Sequence, residues 1–149
     1  MGCGRVGSSL ATALEAAGHS VAIIDQSKEA FRRLGSDFKG RTILGVGFDR
    51  DTLLEAGIDG ADAFAAVSNG DNSNILAARV ARENYGVTNV VARIYDPGRA
   101  EIYQRLGIPT VATVIWASVK YFAESFPVEL VRNGAMPQAR FNSWKCTHI

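Results

Sequence analysis

The sequence predicts an α/β fold with a doubly wound parallel sheet, in which helices cover both faces and the chain forms three layers. Short apolar runs alternate with helix-like segments along the chain, the order that produces a parallel sheet with crossover helices. These runs are continuous in hydrophobic character, as is typical of strands buried on both faces. A glycine-rich motif, Gly2-Cys3-Gly4-Arg5-Val6-Gly7, stands at the start of the first helical segment. No fixed repeat and no low-complexity linker divides the chain, which predicts one domain.

Five segments have the composition of buried strands. Val21-Ala-Ile-Ile24 is the clearest, because it is short, apolar and rich in β-branched residues. The full set is Val21–Ile24, Thr42–Val46, Ala63–Val67, Asn89–Ile94 and, with a weaker pattern, Thr110–Val114.

Four segments between these strands are predicted to be helices. Glycine follows several of them directly, a position at which glycine commonly ends a helix. Ser27 is a residue type that caps helix starts, and either Ser73 or Asn74 could cap the third helix. The predicted helices are Ser8–Ala17, Ser27–Leu34, Asn74–Asn84 and Arg99–Leu106.

The expected first strand is missing from the given N-terminus. A dinucleotide-binding fold requires a strand of about five residues before the glycine motif, and here the motif begins at Gly2. That strand would be the central one, so its loss would leave open edges on both neighbours. Either the chain begins further upstream or another segment fills the gap, and Val128–Arg132 is the spare strand-like stretch.

Composition limits the classes of partner. The chain has 149 residues, 47% of them hydrophobic, and a formal net charge of +1, which gives no field for holding a nucleic acid. No apolar run reaches the roughly 18 residues that a membrane span requires, so no direct membrane insertion is expected. Cys3 and Cys146 are expected to be free thiols in the cytoplasm, and two thiols cannot complete a metal site.

The glycine motif fits the pattern G-x-G-x-x-G of Rossmann-type dinucleotide-binding loops. In that pattern Gly2 permits a tight turn, Gly4 lets the backbone approach a pyrophosphate, and Gly7 allows close packing of helix on sheet. A helix that starts near Arg5 would direct unpaired N–H groups at the phosphates. An ordinary loop at the entry to a helix is the alternative interpretation.

Asp25 supports the nucleotide interpretation, because it ends the Val21–Ile24 strand about 20 residues after the motif, where an acid accepts from the ribose hydroxyls. A carboxylate there would repel a 2′-phosphate, which favours NAD or an adenosine nucleotide over NADP. A surface aspartate without a ligand is the alternative.

Two further places hold candidate contacts. Ser68, Asn69 and Asn74 belong to a polar stretch after a predicted strand, at the sheet edge where open α/β proteins bind ligands. Arg93 lies inside an apolar strand, and a buried arginine requires a partner. A structural salt bridge and a ligand phosphate are both possible partners.

In combination, several segments resemble the N-terminal nucleotide-binding domain of Trk-type potassium-uptake regulators, also called the RCK or KTN domain. The resemblance covers roughly residues 2 to 114. The segments that carry it are Gly2–Gly7, Gly18–Val21 leading to Asp25, Leu54–Ile58, Ala61-Asp62, Asp71–Asn74, Ala92-Arg93 and Leu106–Ile108.

The resemblance implies a cytoplasmic, non-enzymatic domain that binds NAD(H) or ATP/ADP and forms a homodimer or a higher ring assembly. Such domains associate with the inner face of the plasma membrane by docking to a potassium transporter or channel subunit, and ligand exchange gates ion flow. It also implies that Arg5 reaches a phosphate, Asp25 the adenosine ribose, and Arg93 a phosphate or a pairing contact.

The loop after the predicted second strand differs from the family. Val46 stands where many members have an acid near the adenine, within the segment Gly45–Asp49. Gly47 and Phe48 of this loop complete the set of candidate cofactor contacts. The whole set is Gly2, Cys3, Gly4, Arg5, Val6, Gly7, Asp25, Gly47, Phe48, Ser68, Asn69, Asn74 and Arg93.

The chain is divided as follows: residues 2–114 form the nucleotide-binding domain, residues 115–127 a crossover helix for dimerisation, and residues 128–149 a tail of unknown role. Ile115, Val119, Phe122 and Phe126 have helical spacing, which suits the dimerisation helix and equally an amphipathic core helix.

A fragment of an NAD-dependent oxidoreductase is the alternative from another class. Hydride transfer requires a lobe or loop that holds the substrate and a proton donor. His19 lies in the turn before a strand, His148 lies in the tail, and no Tyr-x-x-x-Lys pair occurs. The sequence therefore favours a ligand sensor, and a protein-binding module with a vestigial pocket is a third hypothesis.

Overall fold

The computed structural model describes residues 1–113, in which parallel strands alternate with helices. The α-helices are α1 (Arg5–Ala16), α2 (Arg50–Glu55), α3 (Asp71–Tyr85) and α4 (Pro97–Arg105). The strands are β1 (Ala22–Asp25), β2 (Arg41–Leu44), β3 (Ala63–Ala66), β4 (Asn89–Ile94) and β5 (Thr110–Ala112). Two 3-10 helices lie at Lys28–Leu34 and Ile58–Gly60.

All the strand pairs are parallel, which confirms the predicted α/β class. β1 pairs with β2, and β4 lies between β3 and β5 in a second sheet. The registers include Ile23 opposite Thr42 in the first sheet and Phe64 opposite Val90 in the second. The five predicted strands are therefore present, each within two residues of its expected bounds at the described positions.

The gap between the two sheets is occupied at one end by Met1 and Gly2. The N–H of Gly2 donates to the Ile24 carbonyl of β1 at 2.7 Å, and the N–H of Val67 donates to the Met1 carbonyl at 2.9 Å. The Met1 amine donates to the Ala65 carbonyl of β3 at 2.8 Å. Within residues 1–113 no strand precedes α1, and Met1 and Gly2 bridge the carboxyl ends of β1 and β3. Val128–Arg132, the other candidate for this place, lies outside the described residues.

The core of the second sheet is formed by alternate residues of β4 and by small residues of α3. Val90, Ala92 and Ile94 are buried on the strand. Ala77 and Ala78 of α3 are fully buried, and their short side chains allow the helix to approach the strands closely. This packing fixes the end of β4 relative to the start of α3.

The ends of the helices differ from the predictions. The 3-10 helix Lys28–Leu34 replaces a predicted α-helix, and Ser27 does not cap it, because its hydroxyl donates to Glu29 instead. α3 begins at Asp71 after Gly70, so the alternatives that Ser73 or Asn74 caps this helix were wrong. α4 begins at Pro97, because the Asp96 carboxylate accepts from the Gly98 N–H.

α2 was not predicted. The Asp49 carboxylate caps it, accepting from the N–H and the hydroxyl of Thr52 at 3.0 Å each, and these bonds lower the pKa of Asp49. The helix is only six residues long, too short for a clear apolar period. It nevertheless contributes Leu53, which is fully buried.

The proposed helix 115–127, the tail 128–149, Cys146 and His148 lie outside the described residues. Within residues 1–113, no helix combines the length and apolar character needed to cross a membrane.

Adjacent leucines on α2 test its packing. Leu53 is 0% exposed and Leu54 is 41% exposed, so truncation of each should have a very different effect. We expect Leu53→Ala to lower the free energy of unfolding by about 3 kcal/mol, since it removes buried methyl groups and leaves a cavity. Leu54→Ala is the control and should cost less than about 1 kcal/mol. Urea denaturation measures both, and equal losses would contradict the placement of α2.

Candidate functional site

The glycine motif lies between the carboxyl ends of β1 and β3, and its residues divide into two groups. Gly2, Cys3 and Gly7 are buried, whereas Gly4, Arg5 and Val6 are exposed. One side of the motif therefore packs on the protein, and the other side faces solvent.

Gly2 and Gly7 occupy positions that admit no side chain. Gly2 has a φ of +92°, and a Cβ there would lie 2.7 Å from the Ser68 nitrogen. A Cβ on Gly7 would overlap the carbonyl oxygen of Gly2. The backbone of Gly2 therefore packs closely against Ser68 on one side and against Gly7, in the first turn of α1, on the other.

The solvent side of the motif offers backbone donors. A Cβ on Gly4 would have nothing within 4 Å, so the surface above it is open. Gly4 precedes α1 and provides no side-chain cap, and the first N–H groups of a helix have no partner within the helix. The start of α1, at Arg5 and Val6, can therefore accept an anion.

Asp25 lies directly beside the motif. Its Oδ2 accepts from the Cys3 N–H at 2.6 Å, and its Oδ1 accepts from the Ser27 N–H at 2.9 Å. A carboxylate has about four acceptor positions, so these two bonds leave capacity for hydroxyl donors. Asp25 is half-buried, and the structure brings it and the motif together.

The Cys3 side chain points into the protein, away from the exposed start of α1. It is 0% exposed and packs in a small core with Ala11, Ile23 and Leu34. Burial and, to a smaller extent, the Asp25 carboxylate raise the pKa of the Cys3 thiol. The thiol thus remains neutral and donates to the Ala30 carbonyl at 3.4 Å, and the Cys3 N–H is already bonded to Asp25.

The loop after β2 also lies at the carboxyl end of a strand. Gly47 is buried, and a Cβ there would overlap the side chain of Met1, which would have to move to admit a larger residue. Phe48 is half-buried beside it. Asp49, the acid of this loop, is occupied as the cap of α2.

A buried amide network connects the ends of β3 and β4. Asn74 Oδ1 accepts from the Ser68 N–H at 2.9 Å and from its hydroxyl at 2.7 Å. Asn74 Nδ2 donates to the Ser68 carbonyl at 3.0 Å and to the Arg93 carbonyl at 2.8 Å. Asn74 is 0% exposed, so its predicted direct contact with a cofactor is not supported by this geometry.

Arg93 is half-buried, and its guanidinium lies 4.2 Å from the centre of the Tyr95 ring. No ion pair of the described residues includes Arg93, and within them its buried Nε has no hydrogen-bond partner. Of the two partners expected from the sequence, the structural salt bridge is therefore absent from residues 1–113. Cation–π contact with Tyr95 holds the side chain instead.

A pocket of about 580 Å³ lies where β3 and β4 end. Asn69, which is exposed, belongs to its wall, and so do Asp71, Tyr95 and Arg99, which were not predicted to line the site. The Asp71 carboxylate accepts from the Tyr95 and Asp96 N–H groups at 2.8 and 3.1 Å. The position of Asp71 at the start of a helix was a signal for such a role.

The parallel sheets, the open glycine motif and the adjacent acid define a Rossmann-type α/β domain. The chain belongs to the TrkA-N domain family, which matches residues 1–114. This result confirms the resemblance noted in the sequence.

Curated relatives carry the same family name. The chain is 66% identical over 137 residues to the Trk system potassium uptake protein TrkA of Streptomyces coelicolor, covering 92% of this chain and 59% of that protein. It is 39% identical over 106 residues to the TrkA homolog of Pyrococcus abyssi, covering 71% of this chain and 47% of that one. The chain thus spans about half the length of these relatives.

Solved structures show the same fold. The TrkA-N domain of the inner membrane protein ybaL from Escherichia coli has a TM-score of 0.73 at 19% identity, with 85% of this chain and 93% of that chain covered. The Kef CTD of Shewanella denitrificans in AMP bound form has a TM-score of 0.73 at 24% identity, with 89% and 79% covered.

Gly4 and Gly7 of the motif should respond differently to an added methyl group. We expect Gly7→Ala to lower the free energy of unfolding by about 2 kcal/mol or more, because its Cβ overlaps the Gly2 carbonyl. Gly4→Ala is the matched control and should cost less than about 1 kcal/mol, chiefly through a poorer cap. Thermal and urea denaturation measure the difference, and a larger loss for Gly4→Ala would refute the packing described.

Proposed function

We propose that this chain is the nucleotide-sensing part of a regulatory protein for potassium uptake, and that it senses its ligand without transforming it. The observation that carries the proposal is the open start of α1 beside the half-buried carboxylate of Asp25. Membership of the TrkA-N family and the potassium-uptake names of the curated relatives support the role in transport.

The ligand is NAD(H) or ATP/ADP, and the cleft has a separate group for its diphosphate, its adenosine ribose and its adenine. The diphosphate binds the N–H groups at Gly4–Val6, where the surface is open and the helix dipole is positive. The adenosine ribose donates to the remaining acceptor positions of Asp25. Gly47 and Phe48 lie beside the adenine. Ser68, Asn69 and Arg93 lie beyond the diphosphate, on the side away from the adenine. A protein of the same fold is known in AMP bound form, which supports an adenine nucleotide.

Ligand exchange regulates a partner through the arrangement of paired domains. A ligand shifts such an arrangement only as far as it binds one state more tightly than the other. We place the domain in the cytoplasm as a homodimer or higher ring, docked to a membrane potassium transporter or channel subunit. Contacts beyond the diphosphate, at Arg5 and Arg93, are the ones that differ between ligands.

Removal of the Asp25 charge should weaken binding and change the preference between cofactors. Asp25→Asn keeps the side-chain shape but loses a charge-assisted acceptor, so we expect affinity for NAD to fall about tenfold. Affinity for NADP should fall less, because repulsion of its 2′-phosphate is relieved. Calorimetric titration measures both affinities. Asp37→Asn, at an exposed position, is the control, and an unchanged NAD affinity in Asp25→Asn rejects the ribose assignment.

Arg5 should distinguish ligands by their phosphates. It is exposed at the start of α1, and an arginine there forms charge-assisted bonds to a terminal phosphate. We expect Arg5→Ala to weaken ATP about tenfold and NAD about threefold. Arg105→Ala, an exposed arginine at the end of α4, is the control. Equal losses for ATP and NAD in Arg5→Ala would contradict the assignment.

The proposal as a whole is tested by titrating the 149-residue chain with NAD, NADH, ATP, ADP and NADP. Binding of at least one adenine nucleotide is expected, and absence of all binding by folded protein overturns the sensor. Consumption of NADH with candidate substrates would show an oxidoreductase instead. Potassium uptake in cells that carry a cognate transporter, with and without Asp25→Asn, then tests the regulatory role.

A further inference from the structure

We infer that Asn74 is a positioning residue for the nucleotide cleft: it sets Ser68 and Arg93 in place without touching the ligand. This inference rests on the proposed function, since it concerns how that site holds its ligand. Asn74, a residue of α3, thus controls the backbone at Ser68, just after β3, and at Arg93, on β4.

The Asn74 amide has no capacity left for another partner. Its oxygen accepts two bonds and its nitrogen donates two, with lengths from 2.7 to 3.0 Å. The side chain is 0% exposed. An amide whose donors and acceptors are all used in this way serves the protein and not a ligand.

Three of these four bonds hold Ser68. The backbone of Ser68 forms the surface on which Gly2 packs, because a Cβ on Gly2 would lie 2.7 Å from its nitrogen and 2.8 Å from its Cα. Gly2 in turn contacts Gly7 at the start of α1. A displacement of Ser68 would therefore reach the phosphate-binding turn directly.

The first turn of α3 holds the end of β4 at three points. Asn74 donates to the Arg93 carbonyl, and Asp71 accepts from the N–H groups of Tyr95 and Asp96. Arg93 and Tyr95 are in cation–π contact. The amide thus fixes the backbone from which the Arg93 side chain extends, and it does so from the same atom that bonds Ser68.

Asn74→Asp tests the inference, because it preserves shape but removes both donors. We expect NAD and ATP affinity to fall about tenfold or more, since the Ser68 and Arg93 carbonyls lose their partner. Asn84→Asp is the matched control: it makes the same change on the same helix, at an exposed position, and should leave affinity within about twofold. Asn74→Ser, with a smaller polar group, replaces Asn74→Asp if that variant does not fold.

A double-mutant cycle separates positioning from general loss of stability. If Asn74 acts through Arg93, then Arg93→Ala should cost about tenfold in affinity in the parent chain but less than about threefold in the Asn74 variant. Ligand titration of folded protein provides each affinity.

The outcomes are distinguishable. Failure of the parent chain to bind any adenine nucleotide overturns the proposed function and this inference with it. Binding by the parent chain that persists within about twofold in the folded Asn74 variant overturns only the inference. Additive losses for the Asn74 and Arg93 variants also overturn the inference, and non-additive losses support the inference.

Discussion

The close approach of Gly2 to Ser68 is the contact on which the rest of the site depends. The two sheets share no strand pairing among the described residues; Gly2 bonds to β1, and the preceding residue, Met1, bonds to β3. Because Gly2 has a φ of +92° and no room for a Cβ, only glycine allows this crossing. Once the turn is fixed, α1 begins where its free N–H groups face solvent and Asp25 reaches the Cys3 N–H.

The fold was largely predictable because its strands are short, apolar and buried, and because glycines mark the ends of several helices. The elements that were missed depend on contacts that composition does not reveal. α2 is one short helix with a cap at Asp49 and a single fully buried leucine. The segment Lys28–Leu34 has helical spacing, but it forms the tighter 3-10 helix and Ser27 does not cap it.

The site was predictable in part for a similar reason. The spacing of the glycine motif and Asp25 reflects a local geometry, and the structure brings these residues together. Asn74 shows the limit, because a polar residue after a strand can face a ligand or the interior, and only packing decides. From the sequence, Asn74 was predicted to contact the cofactor, but in the structure its side chain is completely buried. The partner of Arg93 was likewise undecidable, since its contact is with the face of an aromatic ring.

The interior placement of the Cys3 sulfur has a consequence for chemical labelling. Alkylating reagents attack thiolates, and this thiol is both inaccessible and held in its protonated form. Modification at Cys3 would therefore require the small core around Ala11 and Leu34 to open. The rate of that modification would report local unfolding beneath the glycine motif, and a ligand that binds the folded motif would slow it.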